Sequence, residues 1–416
     1  MTILPRDVDL AIVGAGAAGL AAAHAAAARG LSAVVLEASS RIGGRAHTDL
    51  AALGLPFDRG CSWMHSGSLN PFPSLADRFG FAYRREPVPR RIFLGDRWAE
   101  AGEWADWRAC VDAGLAAAKA AGLAGRDVAA ATVMRMDGRW GPLFDAWLGM
   151  SGAVNAEALS TRDYATYRDT AENWPVREGF GALVARWGEG LPVAMATPVQ
   201  AIRWDGPGVR LDTPRGALAA RAAIVTVSTG VLSAGAVRFD PPLPDWKQAA
   251  IDGLPLGAAN KVALRFARDV FGDIESDSFA AFSTATASAM SVQVRPFGLP
   301  MTVGYVGGRF ADALEPEGPA AAIALAVEQH KAMFGSDIAH EITAASSTAW
   351  RGDPLIRGAY SAARPGMAHL RADLARPVAD RLFFAGEATS TEFYSTVHGA
   401  CFSGRRAVDE AVSAAA

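Results

Sequence analysis

Gly14-Ala15-Gly16-Ala17-Ala18-Gly19 follows the apolar run Val8 to Val13 and opens an alanine-rich stretch, Ala17 to Ala28; the next apolar run, Ala33 to Leu36, ends at Glu37. By period and length these segments predict a buried strand, a helix and a second parallel strand. Each glycine has a task. Gly14 permits the tight turn, Gly16 lets the backbone approach a pyrophosphate on the helix N-terminus, and Gly19 lets helix and strand pack closely. Glu37, 23 positions after Gly14, is spaced to bind ribose hydroxyls. A glycine triplet alone in a chain with 43 glycines would carry little, but strand, helix, strand and acid in this order predict a dinucleotide. The stretch Ala11 to Val35 is also nearly uncharged and long enough to resemble a membrane span. Three glycines in six residues, then His24 and Arg29, argue against a lipid-embedded helix.

Outside this unit, 416 residues with 50% hydrophobic and 20% charged side chains can bury a large core and predict two domains. Forty basic against 43 acidic residues give a formal charge of -3, so no overall field recruits nucleic acid or an anionic membrane, and a small-molecule ligand is expected. Cys61, Cys110 and Cys401 are odd in number and lack metal-ligand spacing. That argues against a disulfide framework or a metal site and fits a reducing, cytoplasmic setting. The first apolar run is already the nucleotide strand, with no basic segment and cleavage site before it, and no solenoid or propeller repeat is visible.

Trp98 to Met150 reads as helices separated by glycines. From Val193 the pattern turns to short β runs, Gln200 to Arg203, Val209 to Asp212 and Ala223 to Val227, divided by glycine and proline turns. The prolines 241, 242 and 244 interrupt the chain before Asn260 to Phe266, Met290 to Val294 and Met301 to Tyr305, expected as strands of a second sheet. Pro319 to Phe334 predicts an amphipathic helix, Arg381 to Ala385 a buried strand, and Val397 to Val412 a helix introduced by Ser395 and Thr396. The predicted fold is therefore α/β: a Rossmann-like nucleotide domain built from 1–75, 191–250 and 375–416, interleaved with an α+β substrate domain of 76–190 and 251–374. A second ligand belongs in the crevice between them.

Directly after Glu37 stands Ala38-Ser39-Ser40-Arg41-Ile42-Gly43-Gly44-Arg45, two arginines bracketing a glycine pair. Arginine forks suit phosphate, and paired glycines let a loop lie against a cofactor. Here the sequence resembles the FAD-dependent amine oxidase family. The resemblance continues through Asp58-Arg59-Gly60, Trp63-Met64-His65, Asn70-Pro71, Thr226-Val227, Gly230-Val231-Leu232, Phe239 to Pro244 and Asn260-Lys261. It closes with Trp350, Arg357-Gly358-Ala359-Tyr360-Ser361, Phe384-Ala385-Gly386-Glu387-Ala388-Thr389 and Phe393-Tyr394-Ser395-Thr396-Val397-His398-Gly399-Ala400. These blocks span nearly the whole chain; only the helices of 98–170 lack motif residues. Within the family, 63–65 and 393–400 look most like the polyamine oxidases.

The resemblance implies FAD, with Gly14, Gly16, Gly19, Glu37, Arg41, Gly44, Arg45, Val199, Trp350, Glu387 and Val397 around it. Val199 would hold the adenine through its backbone, and Glu387 would reach the ribityl chain. Ala359 occupies the place of the cysteine that tethers FAD in monoamine oxidases, which implies a non-covalent flavin. Lys261 matches the family lysine that holds a water near flavin N5; taken by itself it reads sooner as a strand-end surface lysine, and the resemblance reverses that. Tyr360 corresponds to one wall of an aromatic sandwich for amines, and Thr396 stands where the second aromatic would be, as in polyamine oxidases. His65 and His398 match polyamine oxidase positions and are candidates to hydrogen-bond the substrate nitrogen, although isolated histidines are often satisfied core residues. Trp63 and Trp350 read as pocket lining. Ser228-Thr229 stands where relatives carry proline and an aliphatic residue, which would loosen the loop beneath the flavin.

The implied activity is oxidation of a primary or secondary amine, best a polyamine or acetylated polyamine, to an imine and then a carbonyl compound, with O2 reduced to hydrogen peroxide. The alternatives are an oxidase of a smaller or cyclic amine, a related flavin desaturase, or a flavin-binding scaffold without turnover. The sequence carries no signal for oligomeric state.

Overall fold

The computed structural model describes residues 7–282 and 290–415; residues 1–6, 283–289 and 416 lie outside it. Its larger sheet has eight strands. Gly216–Val225 is central, pairing in parallel with Asp7–Val13 on one side, which in turn pairs with Ala33–Leu36 and then Val193–Ala194. On the other side, the first half of the same strand pairs antiparallel with Val209–Thr213 and its last residues pair in parallel with Leu382–Phe384. Ala201–Arg203 and Arg238–Asp240 complete that edge. Leu10, Ile12, Val35 and Ile224 are fully buried, as expected of strands covered on both faces.

The helix Ala17–Ala28 lies on one face and packs against the last helix, Val397–Ser413. Small residues allow the approach, since a Cβ on Gly404 would stand 2.1 Å from the carbonyl oxygen of Ala18. The helix Phe180–Trp187 joins the same core through Phe180, Leu183, Val184 and Trp187. It has strong apolar spacing but was masked in the sequence by its short length.

The second sheet has six strands in the order Ile342–Ser347, Ala259–Phe266, Met301–Gly307, Ser291–Val294, Phe279–Phe282 and Arg90–Phe93. Arg90–Phe93 was not expected; it enters parallel to Phe279–Phe282 from a distant part of the chain. The helix Gly318–Phe334 covers this sheet with one stripe of buried residues, Ala322, Ala326, His330 and Met333. Ala101–Leu123 and Gly141–Gly152 form the helical lobe, whose core gathers Trp107, Trp140 and Phe144. The prolines before Asp245 do not simply break the chain: Pro244 sits at the N-cap of a helix, Asp245–Gly253, a position that needs no backbone donor. No helix among the described residues is long and apolar enough to cross a membrane.

Candidate active site

The nucleotide end begins at the turn between Val13 and Ala17. Gly14 has φ +101°, and a Cβ there would stand 2.8 Å from Thr226 Oγ1; one on Gly19 would stand 1.9 Å from the carbonyl oxygen of Gly14. The contact forbids side chains at both positions. Gly16 differs: its φ is -73° and a Cβ there would meet nothing closer than Gly43 O at 3.9 Å. Gly16 is the N-cap of the first helix, with no side chain capping it. The first-turn N–H groups therefore point out of the helix, with no acceptor among the described residues, at its positive end. That is a binding place for an anion.

The Glu37 carboxylate, buried, is held by the N–H groups of Ala15 (2.7 Å) and Ser39 (2.8 Å), one on each oxygen. Each oxygen keeps a lone pair for a further donor. Gly43 N–H donates to Ala15 O at 2.8 Å and fastens the 41–45 loop onto the turn, where Gly44 has φ +59° and crowds Gly16. Arg41, read above as a phosphate fork, turns one nitrogen back onto Gly44 O at 2.8 Å. Val199 is buried, and neither its N–H nor its C=O meets a partner among the described residues. An unpaired backbone edge beside a glycine cradle, an uncapped helix and a half-used carboxylate fit a dinucleotide.

Arg45 Nη1 donates to Glu387 at 2.8 Å and to Ala359 O at 2.5 Å. Burial raises the Glu387 carboxyl, but Arg45, Arg371 and the Ser361 hydroxyl outweigh it and hold the group below its ordinary range. Glu387 also accepts from Ser361 N–H (3.1 Å), Ser361 O–H (2.6 Å) and Ser395 N–H (2.8 Å). Four donors saturate a carboxylate. With its carboxylate so occupied, the group left free at Glu387 is its backbone N–H, for which no protein acceptor is present among the described residues.

At the other end, Lys261 is buried at 8% exposure and its Nζ donates to Asp58 O (2.8 Å), Gly60 O (2.6 Å) and Ser62 Oγ (2.5 Å). It is not a surface lysine. Burial pulls its pKa down to about 8, against the opposing pull of Asp58. Trp350, also buried, spends its indole N–H on Arg59 O at 3.1 Å and lies against Gly60. Tyr360 donates its hydroxyl to Met150 O at 2.9 Å, fixing the ring between the two lobes.

Thr396 is the N-cap of the last helix: its Oγ1 accepts from Gly399 N–H at 3.0 Å and donates to Phe393 O at 2.6 Å. Its hydroxyl is thus committed to starting that helix at Val397. His398 Nδ1 faces the Asn70 amide at 3.3 Å while its Nε2, buried, has no partner among the described residues. Burial, then the neighbouring His65, lowers its pKa to about 3. His65 pairs with Asn173 through Nδ1 and is likewise lowered by burial, which outweighs Asn173 and Asp169.

Ser228 corrects another expectation. It caps the helix Thr229–Ser233 by accepting from Val231 N–H and donates to Ile356 O at 2.6 Å, so it pins its loop. Residues without a local sequence signal complete the site. Ser62 and Tyr305 flank Lys261. Tyr167 meets Tyr394 edge-on at 5.1 Å between ring centres and lies close enough to Tyr360 for the two phenols to interact electrostatically. The fully buried pair Asp163 and Arg371 stands behind Ser361.

Two family models match the chain: "Flavin containing amine oxidoreductase" over 125–412 and "NAD(P)-binding Rossmann-like domain" over 12–79. Polyamine oxidase 4 of Oryza sativa subsp. japonica is 28% identical over 96% of this chain and 87% of its own length. Lysine-specific histone demethylase 1 homolog 2 of Arabidopsis thaliana is 29% identical over 95% of this chain, which spans 57% of that protein. Among solved structures, a wild-type putrescine oxidase bound to putrescine superposes with a TM-score of 0.78 at 21% identity, covering 98% of this chain and 99% of its own, a likeness of fold. With more than half its length matched by one family model, the chain belongs to the flavin-containing amine oxidoreductases, FAD-dependent enzymes acting on CH–NH bonds.

Proposed function

We propose that this enzyme oxidises a polyamine or a short diamine, holding FAD without a covalent link. The observation that carries the reading is the buried cluster of Lys261, His65 and His398, in which burial disfavours each cation: Lys261 is lowered to about 8, His398 to about 3 and His65 downward. Surroundings that disfavour three different cations also favour the uncharged form of an incoming amine, the form from which hydride can leave. Relatives named polyamine oxidase support the substrate class. The absence of a cysteine at Ala359 supports a non-covalent cofactor.

The turn at Gly14, Gly16 and Gly19 and the first helix would hold the pyrophosphate, Glu37 a ribose, Val199 the adenine edge, and Gly44, Arg45 and the Glu387 N–H the middle of the cofactor. When bound, FAD supplies a two-electron acceptor for the hydride equivalent on the carbon beside nitrogen and passes both electrons to O2, giving hydrogen peroxide. The imine product takes up water and splits to a carbonyl compound. Tyr360 forms one aromatic wall for the amine and Tyr167 a second face; Thr396, by being small, leaves room between them. The last helix presents its positive end, at Val397, to developing negative charge. His398, with Nδ1 accepting from the Asn70 amide, would keep a buried Nε2–H that has no partner among the described residues. Lys261 has all three donors engaged, so a water held there would replace the Ser62 hydroxyl, the partner not fixed in the backbone.

The division into a FAD domain of 1–75, 191–250 and 375–416 and a substrate domain of 76–190 and 251–374 is part of the proposal, with Phe180–Trp187 added to the FAD domain because it packs with the first helix. An amine panel with peroxide detection tests the reading. Turnover of polyamines or diamines supports it; turnover of monoamines or cyclic amines alone overturns it.

A further inference from the structure

Arg371, on the helix Leu370–Ala375, is 1% exposed and belongs to none of the motifs that announce the family. Its Nε and Nη2 hold the Asp163 carboxylate at 2.6 and 2.8 Å, a two-pronged pair in which both partners are buried. Its Nη1 donates to Ser361 Oγ at 2.8 Å and to Ala388 O at 3.2 Å. The Ser361 hydroxyl then donates to Glu387 at 2.6 Å. The ring of Tyr394 lies 3.9 Å from the guanidinium carbon, and its hydroxyl donates to Asp163 O at 2.8 Å.

One planar group therefore touches three separate pieces of chain. Asp163 belongs to the helical lobe, Ser361 follows the cleft tyrosine Tyr360, and Ala388 follows Glu387 in the turn after the strand Leu382–Phe384. Asp163 also accepts from Ala363 N–H at 3.2 Å, so the strap carrying Tyr360 is gripped on both sides. The fork of an arginine fixes angles as well as distances; a lysine ammonium is a point charge and does not.

We propose that Arg371 is a positioning residue of the flavin site: through Ser361 it orients Glu387, and through Asp163 it sets the strap of Tyr360 relative to the cofactor. The proposal rests on FAD lying against Arg45 and Glu387 and is independent of which amine is oxidised. It acts through two relays, and Ser361 is the one that can be cut while the Arg371–Asp163 pair stays whole.

Holoenzymes carrying Ser361→Ala, Arg371→Lys and Arg371→Met are compared with the unchanged protein by FAD titration of the apoprotein, the visible flavin spectrum and steady-state kinetics. Losing a hydrogen bond to a charged group corresponds to about tenfold in affinity. The expected result is FAD dissociation weakened about tenfold by Ser361→Ala, more by Arg371→Met, and partly rescued in Arg371→Lys, with shifted flavin bands and kcat lowered more than KM is raised. A purely structural role would lower the melting temperature and leave FAD affinity and the spectrum of the folded protein unchanged. Ser361→Ala with FAD affinity within about twofold and an unshifted spectrum overturns the proposal, whatever the arginine variants do. Absence of amine turnover in every protein, the unchanged one included, would sink the substrate reading and leave this result standing.

Discussion

Lys261 and Tyr305 are register partners on the antiparallel strands Ala259–Phe266 and Met301–Gly307, and the lysine nitrogen lies 5.1 Å from the centre of the phenol ring. The cation is thus enclosed by an aromatic face and three oxygen acceptors, which explains how a buried ammonium is tolerated, while its burial brings it near its point of deprotonation. Replacing Lys261 with Met should slow reoxidation of the reduced flavin by about 100-fold, the scale of a lost proton-transfer group. The oxygen reaction of the unchanged enzyme should vary through pH about 8, and that inflection should vanish in the variant. Stopped-flow mixing of reduced enzyme with oxygenated buffer reads both; identical oxygen kinetics would remove the role.

Gly16 and Gly19 should separate folding from cofactor binding. Gly19→Ala drives a Cβ into the Gly14 carbonyl and should leave little folded protein. Gly16→Ala meets open space at an ordinary φ, so the apoprotein should melt at the unchanged temperature and yet lose yellow colour. Equal FAD uptake by Gly16→Ala would place the pyrophosphate elsewhere.

Tyr360 combines a hydroxyl anchor with a ring wall. Tyr360→Phe removes the bond to Met150 O and should cost about 1 kcal/mol of stability with kcat/KM nearly unchanged. Tyr360→Leu should lower kcat/KM about five- to tenfold, as an aromatic contact to an amine is lost. A variant pair with equal kinetics would contradict the wall.

Asp163 and Arg371 should behave as a buried pair whose halves cannot be spared singly. Asp163→Ala strands the guanidinium and is expected to cost about 3–5 kcal/mol in urea unfolding. A loss under about 1 kcal/mol would mean that water reaches the site.

Acid should destabilise the protein through histidines. Burial lowers His330 to about 4, despite its bond to Ala326 O, and His398 to about 3. Their folded values lie below those of the unfolded chain, so unfolding takes up protons below pH about 6.5. Stability then falls with pH by about 1.4 kcal/mol per unit for each group. Between pH 6.5 and 5 the two together should cost about 3 kcal/mol, and His330→Gln should remove roughly half of that contribution. Equal unfolding free energies at both pH values would show these imidazoles protonated or exposed.

The opening strand, helix and strand were legible to within one residue, since each is an apolar run bounded by glycine or a charged residue. The last helix was legible because Thr396 gives it a capping residue. Short elements whose structure comes from packing were not: Arg90–Phe93 is polar at two of four positions and is a strand only because Phe279–Phe282 lies beside it. Lys261 could be singled out in the sequence, but two of its three acceptors are backbone carbonyls, which carry no residue identity. Asp163 and Arg371 lie 208 positions apart, and neither has local spacing that points to the other.

The central strand Gly216–Val225 is flanked by Asp7–Val13 and by Leu382–Phe384. During synthesis, the first of these neighbours leaves the ribosome long before the second exists. Until Leu382–Phe384 has been made, the last residues of that strand present a bare hydrogen-bonding edge, the kind that recruits other chains. A product terminated before Leu382 should therefore emerge colourless and dependent on chaperones.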